Sequence, residues 1–91
     1  MVSMRVSLPA DVLVRRLKTE SVLLSLRSEQ YFGLDAVGTR MWEVLTTSES
    51  VEAACTLLLG EYDVEAAVLR QDALNLIAEL VRHGLLETSD E

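Results

Sequence analysis

The sequence predicts an α+β fold in which a three-stranded antiparallel sheet is followed by three helices. Two observations predict it: apolar residues alternate along the first third of the chain, and from Asp35 onward they recur at helical spacing. At 91 residues the chain reads as one domain spanning 1–91, with its core at about 12–87, because two independent cores would not fit.

Val12-Leu13-Val14-Arg15-Arg16-Leu17 is the first strand of a meander. Lys18-Thr19-Glu20 is a polar turn, and Ser21-Val22-Leu23-Leu24-Ser25-Leu26 is the second strand. Arg27-Ser28-Glu29 breaks the pattern again before the third, Gln30-Tyr31-Phe32-Gly33-Leu34. Such short turns join antiparallel neighbours. Met4 to Leu8 adds a further strand or arm, which Pro9 ends. Alternation sets Val22, Leu24 and Leu26 on one face, and Phe32 with Leu34 on one face of the next strand.

At Asp35 the period changes. Asp35 offers an N-cap oxygen to the first free amides, and Val37, Met41, Val44 and Leu45 follow at helical spacing beside Trp42. Ser50 caps a second helix with the stripe Val51, Ala54, Cys55 and Leu58, and Gly60 stops it. Asp63 caps the longest helix, from about Val64 to His83, with Leu69, Ala73, Leu76, Ile77 and Leu80 on one side. Gly84 ends it, Leu85-Leu86 returns as a short edge, and Glu87 to Glu91 is an acidic, frayed tail.

Composition narrows the function. Hydrophobic residues make up 49% and charged residues 25%, enough for a real core but little volume for a dry catalytic cavity. No apolar run is long enough for a membrane span, and Met1-Val2-Ser3-Met4-Arg5 lacks the features of a secretory signal. The lone Cys55 forms no disulfide framework, which fits a reducing cytoplasm. Residues 1–45 carry net charge +1, whereas residues 46–91 set ten acids against Arg70 and Arg82. That acidic half repels phosphate backbones. No glycine-rich phosphate loop exists, and one His and one Cys far apart make no metal ligand set. No catalytic residue, metal or cofactor is expected.

The stretch Tyr31-Phe32-Gly33-Leu34-Asp35-Ala36-Val37-Gly38-Thr39-Arg40-Met41-Trp42-Glu43-Val44-Leu45 resembles the PqqD-like family: an aromatic strand, Leu-Asn/Asp, a small residue, then an Ile/Met-Trp pair. Val51-Glu52-Ala53-Ala54, Tyr62-Asp63-Val64 and Gly84-Leu85-Leu86 extend the likeness over about residues 12–87. Asp35 stands where many relatives have Asn, and both cap a helix. The likeness is to the stand-alone versions found with lasso-peptide biosynthesis. It implies a RiPP recognition element with a winged-helix-like fold. Such a domain binds the leader of a ribosomally made precursor as an extra strand, against the third strand and beside the third helix. It does no chemistry itself, and a transglutaminase-like leader peptidase and a cyclase are its implied enzyme partners.

The residues independently suit that mechanism. A third strand at the edge of a meander presents unpaired backbone groups, and strand addition satisfies them. Gln30, Tyr31, Phe32, Gly33 and Leu34 are the expected strand side of the groove, with Leu69, Asp72, Ala73 and Leu76 on the helix side. Phe32, in phase with Leu34, belongs to the core, while Tyr31 is divided between groove and plain surface. Asp72 holds a basic residue or amide of the leader, or else is a solvated charge pairing with Arg40 or a nearby turn. Trp42 is a core anchor, Gly38 marks close packing on the sheet, and His83 caps a helix or faces solvent. Two rival classes remain: a winged-helix DNA-binding domain, and a module that dimerises through the same free edge.

Overall fold

The computed structural model describes residues 4–90; Met1-Val2-Ser3 and Glu91 lie outside the described residues. The elements run β1 (Met4–Ser7), β2 (Val12–Leu17), β3 (Glu20–Ser25), β4 (Tyr31–Leu34), α1 (Ala36–Thr47), α2 (Val51–Leu59), α3 (Ala66–Arg82) and β5 (Glu87–Asp90). A three-stranded antiparallel sheet of order β2-β3-β4 precedes three helices, the α+β arrangement that the alternation and the helical spacing predict.

β2 and β3 pair from Val12↔Ser25 to Leu17↔Glu20, closed by the two-residue loop Lys18-Thr19. Lys18 has φ 61°, the positive first position of a tight hairpin loop. β3 and β4 pair from Ser21↔Leu34 to Leu24↔Tyr31. The face inside the molecule holds Leu23 and Leu34, but also Ser21 and Ser25. Ser21 is accommodated because its hydroxyl lies 2.8 Å from that of Thr39 on α1, and Thr39 donates to the Leu34 carbonyl. Val22 and Leu24 do share a face, but it is the outer one, with Leu13 and Tyr31 beside them; Leu26 lies exposed past the end of β3.

Met4–Ser7 does form a strand, but it pairs with β5 in a separate two-stranded sheet rather than with the meander. The expected short edge at Leu85-Leu86 is instead core, with both side chains buried. Strand begins at Glu87, so residues 87–90 are paired and not frayed.

Asp35 caps α1 as expected, its Oδ1 accepting from the Gly38 amide at 2.8 Å, and Ser50 caps α2 through the Ala53 amide at 3.1 Å. A Cβ on Gly38 would lie 3.2 Å from Asp35 Oδ1 and 3.4 Å from Leu34, so the strand–helix corner is closely packed. Asp63 does not cap α3. The helix starts at Ala66, and Glu65 in the cap position makes no side-chain bond. Its first buried residue is Leu69, so an earlier turn through the exposed Val64 would gain no packing. Val37, in the first turn of α1, is likewise exposed rather than part of the stripe.

Buried residues form two clusters. α1, α2, α3 as far as Ile77 and Val6 of β1 make one, including Met41, Leu45 and Leu58. The other joins the sheet's inner face to Trp42, Leu80, Leu85 and Leu86, with Phe32 packed against it; Leu76 touches both. Trp42 is a core anchor, though its Nε1 has no partner. At the end of α3 the Gly84 amide donates to Val81 and the Leu85 amide to Leu80, with Gly84 at φ 72°. This is a Schellman turn, and its hydrophobic pair is Leu80 with Leu85.

Two stability tests follow from these contacts. Gly84→Ala places a Cβ in the left-handed region and should cost about 1 kcal/mol in urea unfolding. Thr39→Val strands the Ser21 hydroxyl and should cost about 1–3 kcal/mol, whereas adding Ser21→Ala should recover part of that loss. A strictly additive double mutant would show that the hydroxyl pair contributes nothing.

Candidate functional site

The hydrogen-bond phase of β4 decides what its free edge offers. The Ser25 amide donates to the Gln30 carbonyl at 2.9 Å, so Gln30 faces β3. In an antiparallel ladder, successive residues direct their N–H and C=O to alternate sides. Phe32 and Leu34 therefore pair with Leu23 and Ser21, while the backbone groups of Tyr31 and Gly33 point away from the sheet. β4 is an edge in the order β2-β3-β4, so those four groups border open space. Side chains alternate in the same phase: Phe32 and Leu34 face inward, and Tyr31, 76% exposed, faces outward.

The inner side of that edge borders α3. His83 Nδ1 lies 3.0 Å from Gln30 Oε1, and the His83 ring lies 5.6 Å from that of Phe32. His83 is the C-cap of α3, as expected, and its ring is engaged as well. It ties the end of α3 to the start of β4 across 53 positions of sequence. At 3.6 residues per turn, Asp72, Leu76, Glu79 and His83 fall on one line along the helix. Arg70, on the opposite flank, pairs with Glu52 of α2. The line ending at His83 is therefore the flank turned toward β4, and Phe32 and Leu76 both pack against the same core cluster.

This geometry distributes the expected site residues unevenly. Gln30, Tyr31, Phe32, Gly33 and Leu34 come together along the edge. Leu76 is half-buried against both core clusters, and Asp72 is exposed on the same line of α3. Leu69 and Ala73 are 5% and 0% exposed inside the helical cluster, so in the free chain they form a foundation rather than a wall. Arg40 does not pair with Asp72; it donates to Glu61 at 2.6 and 2.8 Å and also meets Glu43. That bond holds the Glu61 carboxyl below its ordinary pKa. Sequence reading missed Glu79 and His83, although their spacing of seven and eleven from Asp72 was the available signal.

Charges on α3 are largely committed. Arg70 is paired to Glu52 and Arg82 to Glu79 at 2.6 Å. Cys55 is buried in the helical cluster, and burial pushes its thiol up. Among the described residues, no group of three His, Cys, Asp or Glu side chains could hold a metal ion. No helix among them is long and apolar enough to cross a membrane.

Comparison with known proteins bears on this edge. A solved structure of TbiB1 in complex with the TbiA(beta) leader peptide is similar, with TM-score 0.83, 32% identity, and coverage of 89% of this chain and 94% of that one. A second, of lasso peptide synthetase B1 complexed with the leader peptide, matches at TM-score 0.81 and 24% identity, covering 91% and 98%, and it supports the fold alone. No curated protein sequence matches significantly. The family profile for Coenzyme PQQ synthesis protein D (PqqD) matches residues 20–86, a span from β3 through α3 that contains the whole edge and the helix flank beside it, and the chain belongs to the PqqD family.

Proposed function

We propose that this chain is a recognition element that binds the leader segment of a ribosomally made precursor peptide. The leader adds antiparallel to β4, beside α3, and is thereby presented to separate enzymes, a transglutaminase-like leader peptidase and a cyclase. The observation that carries this reading is the N–H and C=O of Tyr31 and Gly33 along the outer edge of β4, beside Phe32 and Leu76, which pack on one core cluster. A strand added there exchanges backbone bonds with Tyr31 and Gly33, and its alternate side chains turn toward Phe32 and Leu76. Support comes from the similarity to TbiB1, whose structure contains a leader peptide. A lasso-peptide precursor is the leader source that best fits this likeness, and synthesis of such a precursor places the encounter in the cytoplasm.

The same edge would serve a homodimer, so leader and second copy would compete for Tyr31 and Gly33. Sedimentation with and without leader distinguishes them, since loss of dimer on peptide addition reveals a shared edge. DNA binding is disfavoured by the ion pairs that occupy Arg70 and Arg82 on the longest helix.

Amide exchange tests the edge directly. In the free chain the Tyr31 and Gly33 amides should exchange much faster than those of Phe32 and Leu34, and leader should slow the first pair selectively. Uniform protection along residues 31–34 would remove the open edge. Gly33→Pro deletes one outward donor without touching the β3 ladder. It should weaken leader binding roughly tenfold or more in calorimetry while circular dichroism stays unchanged. Wild-type affinity in that variant would overturn the proposed docking line. Because backbone bonds and apolar contacts beside Phe32 and Leu76 carry the docking, affinity should change little between low and moderate salt.

A further inference from the structure

Gly33 gives up backbone entropy and side-chain packing in mid-strand, and the free fold receives nothing in return. Its backbone is not left-handed, since Gly84 alone among the described glycines has positive φ. A Cβ built at Gly33 would meet nothing within 4 Å, so no neighbour demands its absence. Neither conformation nor crowding within the chain explains the residue. Beside Gly33 on the outer face lies a hollow of about 260 Å³, lined by Leu17, Glu20, Val22 and Asp35 together with Ser21 and Leu34. As β4 is an edge strand, this hollow adjoins the open side of the sheet.

We infer that the hollow is a socket for one bulky apolar side chain of the incoming strand, carried by the residue hydrogen-bonded opposite Gly33; the inference rests on the strand-addition reading. Directly paired residues project on the same face, with Cβ atoms about 4.5–5.5 Å apart. The side chain opposite Gly33 therefore points outward, where no Cβ of β4 stands between it and Val22, the cross-strand partner of Gly33. Leu17 and Val22 give the socket apolar walls, and the carboxylates of Glu20 and Asp35 at its rim disfavour an acidic occupant. The residues on either side of this one point inward, toward Phe32 and α3. Recognition is thus two-faced: the Phe32 and α3 side reads one set of alternate side chains and the Gly33 socket reads a member of the other. Gly33 is the specificity-determining position of the outer face.

Random-peptide libraries selected separately on the wild-type chain and on Gly33→Leu test this. Peptides selected on wild type should carry a large apolar residue at one position, and those selected on Gly33→Leu should carry Gly or Ala there. A wild-type-selected peptide should bind Gly33→Leu roughly tenfold or more weakly, with Gly33→Ala in between. Unchanged circular dichroism establishes that the variants fold, as the open space around the Cβ leads one to expect. Identical consensus sequences from both selections would overturn the socket. Amide protection reads the edge separately: if the selected peptide protects Tyr31 and Gly33 yet tolerates Gly33→Leu, only the socket falls. If it protects neither amide, the edge fails and the socket with it.

Discussion

β4 can stay open on one side only because it is held firmly on all the others. Leu34 is anchored in the core, its carbonyl also receives the Thr39 hydroxyl, and Gly38 packs against it at the turn into α1. At the opposite end, Gln30 is joined to β3 through its carbonyl and to α3 through His83. A four-residue edge strand without such anchors would fray, because a short strand gains little from a single ladder. Fixing both ends leaves Tyr31 and Gly33 extended and unpaired. The peptide partner then meets a preorganised edge and need not order it.

The sheet has a second edge, and its contrast with β4 explains why one is suited to pairing. In β2 the phase set by Leu17↔Glu20 turns the backbone groups of Val14 and Arg16 outward. That strand carries Arg15 and Arg16, with Lys18 in the adjoining loop, and Arg16 is tied to Glu43 of α1. Charged side chains along an edge are a common protection against unwanted pairing. β4 has no charged side chain between Gln30 and Leu34, and a helix flank stands beside it. At this edge the open backbone groups stand beside the end of α3, where His83 meets Gln30 and Phe32.

Much of this was legible in the sequence, and the misses share a cause. The order of strands and helices, the Asp35 and Ser50 caps and the terminating Gly84 follow from local rules, and locally they hold. Which face of β3 turns inward does not. Val22, Leu24 and Leu26 are the more apolar set, yet Ser21 and Ser25 are inside, because Thr39, eighteen positions from Ser21, supplies a hydroxyl partner. The pairing of β1 with β5 and the contact of His83 with Gln30 depend on residues still farther apart. A lone histidine at a helix end reads as a cap alone until the fold places an amide oxygen beside it.

Those long-range contacts also orient α3 relative to the β4 edge. Leu69 and Ala73 were chosen for their place on the apolar stripe, but that stripe faces the core, and a ligand meets only its margin. The margin is identified by two contacts on opposite flanks of α3: Arg70 with Glu52 on the α2 side, and His83 with Gln30 on the β4 side. Between them the helix turns Asp72, Leu76 and Glu79 toward the edge. The wall that an added strand would face is therefore apolar at Leu76 and acidic at Asp72, while the Glu79 carboxylate is paired with Arg82. A leader strand running along it would be tolerated with neutral or basic residues beside Asp72 and repelled with acidic ones, whatever its backbone pairing contributes.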